Sequence, residues 1–200
     1  QAQQQLRRWA KLGYSDKRIS INISTRQLRD PSDVRRLVSA LEAEETNRLT
    51  LEITESLLIA DKGLYRDFLT QARDLGAKIA LDDFGTGYSS LSYLRDYRFD
   101  VLKIDRSFVS GLTRDQSVDQ ADRNLVASII SLGKILDLEV VAEGVEEDEE
   151  LAVLAELGCA LIQGYYYSPP MPADKAESYL RSAEAAGGLR SVTQLQATAG

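Results

Sequence analysis

The sequence predicts an α/β fold, a (β/α) barrel with about six of the usual eight strands, and three observations predict it. Six short apolar runs each carry a polar residue able to hold a metal or a phosphate: Asn22 in RISINIS, Glu52 in LTLEIT, Asp82 in KIALDDFGTG, Lys103 in VLKID, Glu143 in EVVAEGVE and Gln163 in LIQGYYY. The apolar flanks, such as Ile21 and Ile23, Leu51 and Ile53, or Leu102 and Ile104, have the opposite parity, so one strand face packs on helices while the other gathers the polar set. Amphipathic helical stretches alternate with these runs, as parallel neighbours require. An open doubly wound sheet also binds ligands beyond its strand ends, but concentrates them at one switch point, whereas here every run presents a polar residue. The barrel is therefore preferred.

The elements follow in order. Leu6, Trp9 and Ala10 stand at helical spacing in residues 1–11, with Gly13 as a stop. After the Asn22 strand, Val34, Leu37, Val38 and Leu41 mark a helix over 33–45. Further helices are expected near 64–75, ended by Gly76, near 117–136, near 147–157, ended by Gly158, and near 173–186, ended by Gly187. A short crossover is expected over 89–95. Residues 1–186 are read as one partial domain, and 187–200, lacking a sustained apolar face, as a flexible tail.

Composition narrows the function. A net charge of −7 and the acidic balance of the chain argue against a broad grip on polynucleotide, which relies on Lys and Arg. A small phosphorylated ligand remains compatible, because bound cations can supply the positive charge. There is no histidine, which removes imidazole bases, His-dependent triads and HExxH zinc sites together. Acid-base or metal chemistry then falls to carboxylates, amides, Lys or Tyr. Cys159 is the only cysteine, so no internal disulfide exists and a reducing, cytoplasmic compartment is expected. No apolar run approaches the roughly 18 residues of a membrane span, and no contact with a membrane is expected.

Each motif has a plain alternative. Glu52, flanked by Leu51 and Ile53, is hard to solvate and reads as a ligand; Glu55 divides evenly between a functional role and a first-turn helix residue. Asp82 and Asp83 can reach one site only if the strand ends between them, which Gly85 and Gly87 make credible; a helix-capping role would account for Asp83 alone. Lys103 and Asp105 share a parity and read either as a buried ion pair or as a lysine that holds a water or phosphate oxygen. Glu143 still belongs to its strand, whereas Glu147, Asp148, Glu149 and Glu150 read as a solvated helix start. Gln163 precedes Gly164 and three tyrosines, which could stack on a base, though strand propensity and core packing explain tyrosines more often.

Taken together, INISTRQL, LEITES, DDFGTGYSSL, LKID, VVAEGVE and QGYYYSPPMP, in this order and spacing, resemble the EAL-domain cyclic-di-GMP phosphodiesterases, from about Gln5 to about Leu180. The resemblance implies a modified TIM-like (β/α) barrel that linearises cyclic di-GMP to pGpG with two Mg²⁺ or Mn²⁺ ions in bacterial second-messenger signalling. It implies that Asn22, Glu52 and Asp82 bind one metal, Asp82 bridging to a second held by Asp83 and Glu143. Lys103 and Gln163 would orient the attacking water or the phosphate. Glu55 would anchor the DDFGTGYSSL loop, itself implied in homodimerisation. Asp105, Gln163, Tyr167 and Pro170 are the expected substrate contacts. Hard oxygen ligands suit Mg²⁺ or Mn²⁺.

One departure matters. The Glu-Ala-Leu strand that names the family does not occur in these residues, nor does a Glu-x-Leu-x-Arg in its place, and Pro169 stands where a basic residue is common. The expectation is an N-terminally truncated barrel, a piece of a longer protein with upstream sensory or cyclase domains, and little activity from the piece alone. Rival readings are a non-catalytic cyclic-di-GMP receptor, an enolase-like metal barrel with Lys103 as base, and an interaction domain with merely solvated acids. Retention of Asn22, Glu52, Asp82, Asp83 and Glu143 weighs against the receptor; DDFGTG and QGYYYSPP are unexplained by the enolase-like reading.

Overall fold

In the computed structural model, residues 1–42, 45–55, 57, 62–86, 94, 96–113, 120–185 and 195–196 are described. The chain divides into two compact units, one built on Gln1–Leu81, the other on Asp82–Thr86 and the chain from Asp100 through the last helix.

In the first unit, α1 (Ala2–Lys11) buries Leu6 and Trp9, one turn apart on a single face. Behind it Arg48, mostly buried, donates to the carbonyls of Leu6 (3.1 Å), Tyr14 (2.7 Å) and Lys17 (2.9 Å) and pairs with Glu45. One guanidinium thereby satisfies three backbone acceptors of α1 and the loop after it. Strand β1 (Ile19–Ile23) leads to α2 (Pro31–Leu41). This helix starts earlier than its apolar stripe indicates because Asp30 caps it, accepting from the Ser32 and Asp33 amides, with Pro31 at the first position. β2 (Leu49–Thr54) pairs in parallel with β1, Asn22 opposite Glu52. α3 (Lys62–Asp74) buries Tyr65, Phe68, Leu69 and Ala72 and packs on α2. β3 (Lys78–Phe84) follows, its residues 78–81 in this unit and 82–84 in the next.

The second unit continues with β4 (Val101–Ile104), the short α4 (Arg106–Val109), α5 (Gln120–Ile135), β5 (Glu139–Glu143), α6 (Asp148–Leu157), β6 (Leu161–Gln163) and α7 (Ala173–Ala185). Val126, Ile129 and Ile130 give α5 its buried stripe, and Gly158, the expected stop, ends α6 in the left-handed conformation at φ 80°. Strand order here is β3-β4-β5-β6, with β4–β5 and β5–β6 parallel and in register.

Within the tail expected to be loose, Leu195–Gln196 form β7, paired in parallel with Ile19 and Ser20 of β1. The edge of a strand offers unpaired N–H and C=O groups, and even two residues of extended chain can take them up. The crossover expected over 89–95 lies, except for Leu94, outside the described residues, as do 117–119 at the expected start of α5.

Candidate metal centre

In the second unit β3, β4, β5 and β6 each deliver polar side chains near their ends. Lys103 sits in β4 between Leu102 and Ile104, and its side chain is fully buried. An ammonium in that position needs compensation, since the cost of burying an unpaired ion is several kcal/mol. Two carboxylates supply it: Lys103 Nζ lies 2.9 Å from Asp82 and in an ion pair with Glu143 of β5. The lysine is thus a buried ion-pair residue, as one reading held, but its partners are Asp82 and Glu143. Asp105 instead caps α4, accepting from the Ser107 amide at 2.9 Å.

Asp83 joins the same cluster through a local departure from strand geometry. Regular alternation would send neighbouring side chains to opposite faces. Asp83 has φ 55°, a left-handed conformation that Asp tolerates better than bulkier residues. The turn is fixed by Thr86, whose amide (3.3 Å) and hydroxyl (2.9 Å) both donate to the Asp83 carbonyl. Gly85 follows at φ 100°, where a Cβ would fall 2.9 Å from the Phe108 ring. Asp82, Asp83 and Glu143 consequently each offer a carboxylate oxygen, all within 4.8 Å of one another.

The electrostatics follow from this crowding. Burial pushes the Asp83 carboxyl above its ordinary value, and the charges of Asp82 and Asp105 push it further, against a smaller opposing pull from Lys103. Asp105 goes the other way: burial raises it, but hydrogen bonds from the Ser107 hydroxyl and amide and the Arg106 amide hold it below the usual carboxylate value. Three acids against one lysine leave the cluster in deficit of positive charge.

Gln163 ends β6 directly opposite Glu143, and its Oε1 is buried with no hydrogen-bond partner among the described residues. The next residue must be glycine, because a Cβ on Gly164 would overlap the Val145 backbone. That closeness locks two loops together: the Val145 amide donates to the Gln163 carbonyl (3.1 Å), and the Tyr166 amide to the Val145 carbonyl (2.9 Å). The tyrosines are not core residues. Tyr165 is 57% exposed, Tyr166 is exposed and donates to Asp148 at 3.0 Å, and Tyr167 meets Tyr166 edge-on. Tyr167 is half-buried and Pro170 exposed.

In the first unit, Asn22 and Glu52 stand side by side in the β1–β2 register, Asn22 exposed and Glu52 only 1% exposed. Glu55, directly after β2, is helical and buried. Of the DDFGTGYSSL segment, residues 87–91 lie outside the described residues.

Sequence reasoning missed Glu150. It was grouped with a solvated acidic run, yet its carboxylate is buried and accepts three backbone amides. The Glu147-x-x-Glu150 spacing of a capping box was the available signal.

Comparison with known proteins bears on both fold and site. The EAL domain family model matches residues 1–170. The chain belongs to the EAL-domain family. It is 40% identical over 186 residues to the cyclic di-GMP phosphodiesterase NbdA of Pseudomonas aeruginosa, covering 91% of this chain and 23% of NbdA. It therefore spans about a quarter of the length of the curated relatives it matches. Among solved structures, the PaMucR phosphodiesterase in complex with c-di-GMP aligns with a TM-score of 0.77 and 38% identity, over 88% of this chain and 70% of that one. The manganese/cy-diGMP complex of Klebsiella pneumoniae BlrP1 aligns with a TM-score of 0.69 and 33% identity, over 80% and 41%. The TIM-like (β/α) fold expected from the six polar strand ends is the fold of this EAL domain, with β1 to β6 as those strands.

The donor set fits a divalent cation. It consists of hard oxygen ligands, as Mg²⁺ and Mn²⁺ prefer. Its three carboxylates are crowded enough to raise the pKa of Asp83, and a buried amide oxygen without a hydrogen-bond partner among the described residues stands at Gln163. Among the described residues no helix is long and apolar enough to cross a membrane.

Proposed function

We propose that this EAL domain hydrolyses cyclic di-GMP to linear pGpG by two-metal catalysis. The single observation that carries the reading is the convergence of Asp82, Asp83 and Glu143 around the buried Lys103. Divalent cations bound there, Mg²⁺ or Mn²⁺, would activate water as a nucleophile and offset charge on the phosphodiester. The chain's own residues have distinct parts. Asp82, Asp83 and Glu143 hold the cations, with Asn22 and Glu52 as the further ligands that the family resemblance implies. Lys103 keeps Asp82 and Glu143 fixed and offers its ammonium to the water or a phosphate oxygen. Gln163 Oε1, having no hydrogen-bond partner among the described residues, is placed to accept a hydrogen bond from the water or substrate. The half-buried Tyr167 and exposed Pro170 are proposed substrate contacts, and Asp105, through its hydrogen bond to Asp83, orients that ligand. Glu55 would anchor the loop that begins at Asp82, and that loop is the proposed homodimer contact.

The Glu-Ala-Leu glutamate is not among these 200 residues, so slow turnover is proposed for them alone. Calorimetry with Ca²⁺ and product analysis with Mn²⁺ test the proposal together. Cyclic di-GMP is expected to bind in the presence of Ca²⁺, and pGpG to form slowly with Mn²⁺ and not at all in Glu143→Gln. Absence of Ca²⁺-supported binding, or pGpG formation unaffected by Glu143→Gln, contradicts it.

A further inference from the structure

We propose that Glu150 is a positioning residue that holds the exit loops of β4 and β5 in one arrangement and thereby sets the affinity of the metal centre; the inference rests on the metal reading above. Glu150 lies in the first turn of α6, 5% exposed. One carboxylate oxygen accepts the Gly111 amide at 3.1 Å, from the segment that follows α4. The other accepts the amides of Glu146 (2.8 Å) and Glu147 (3.1 Å), in the loop that follows Glu143. A capping box needs only the Glu147 bond, and the return bond from the Glu150 amide to the Glu147 side chain completes it. The Gly111 and Glu146 bonds are beyond what starting a helix requires.

Their effect is to join three loops. The β4 exit carries Asp105, hydrogen-bonded to Asp83, and Arg106, whose guanidinium pairs with Glu146 at 2.7 Å. The β5 exit carries Glu143 and Val145, and Val145 is bonded at both its amide and its carbonyl to the Gln163–Tyr166 loop. A shift of the 144–147 segment would therefore move Glu143 and the Gln163 loop together. A carboxylate with three charge-assisted bonds opposes such a shift more strongly than neutral bonds would. Groups that orient metal ligands in this way typically change metal affinity by about 10–100-fold when removed.

The test is Mn²⁺ titration of the chain by calorimetry, with melting temperature followed in parallel. Glu150→Ala is expected to weaken Mn²⁺ binding by about tenfold or more. Glu150→Asp keeps the charge at the helix start but is one methylene too short to reach Gly111 and Glu146 at once, so it is expected to melt near the wild type and bind Mn²⁺ as poorly as the alanine variant. Glu150→Gln keeps the length but has a single acceptor oxygen, so it cannot serve Gly111 and Glu146 at once, and is expected to recover only part of the affinity. Wild-type affinity in Glu150→Asp, or in a folded Glu150→Ala, overturns the proposal; should the alanine variant not fold, the aspartate variant decides. Failure of the wild-type chain to bind Mn²⁺ would instead overturn the metal reading.

Discussion

Two acidic groups in the second unit answer the cost of burying carboxylates in opposite ways. At the strand ends, Asp82, Asp83 and Glu143 face one another and share a single lysine, and Asp83 holds its proton to higher pH as a result. A few residues beyond Glu143, Glu150 is buried, more fully than Asp83 and Glu143, but has three backbone N–H donors, while Glu147, Asp148 and Glu149 around it are exposed. The first group is built with its demand for positive charge unmet, and the second with its demand met. Frustration of this kind, local and beside a satisfied counterpart, distinguishes a ligand site from structural acid.

The largest effect expected is at the lysine on which the first group depends. Lys103→Met should destabilise the metal-free chain by about 3–5 kcal/mol in urea denaturation, because it leaves two buried carboxylates uncompensated. A loss below about 1 kcal/mol, the worth of an exposed pair, would erase the contrast.

Asp83→Asn should act with two signs. Mn²⁺ affinity should fall by at least about 10–100-fold in calorimetry. The metal-free urea midpoint should rise, since like-charge repulsion disappears while the turn at Asp83, which Asn also accepts, is kept. A fall in both would mean that Asp83 serves the fold and not a ligand.

The pH dependence follows from the same residue. The folded-state pKa of Asp83 is raised, so its ionised form weakens the metal-free fold above that pKa, and lowering the pH through it relieves the strain. Asp105, held low, contributes stability that is present above its unfolded value and is lost as pH falls through the lowered folded one. Protons compete with the metal for the Asp83 carboxylate, so Mn²⁺ affinity should fall as pH is lowered toward its raised pKa. A pH-independent affinity would contradict the assignment of Asp83 as a ligand. The smallest effect belongs to the solvated part of the second group: Glu149→Gln should change stability by less than about 1 kcal/mol, mostly through the helix dipole.

Much of this was legible in the sequence, for a physical reason. The two-residue period of a strand leaves a direct record of which side chains share a face, and it marked Glu52, Asp82, Lys103, Glu143 and Gln163 correctly as strand residues with apolar neighbours of opposite parity. Glycines after helices recorded helix ends at Gly76 and Gly158, both at positive φ. Partnerships were less legible. Parity placed Lys103 with Asp105, but hydrogen bonding at a helix start claimed Asp105, and neighbouring strands supplied Asp82 and Glu143 instead. Composition grouped Glu150 with exposed acids because nothing in a run of carboxylates distinguishes the one that turns inward onto backbone amides. The QGYYY tyrosines follow a glycine that stops the strand, so strand propensity had no strand to act in.

The central claim is that the strand-end carboxylates form a divalent-cation site. Calorimetric titration of the chain with Mn²⁺, beside the Asp83→Asn/Glu143→Gln double variant, tests it most directly. Saturable binding that the double variant loses is the predicted result. An absence of binding to the wild-type chain, or equal binding by the two, would contradict it.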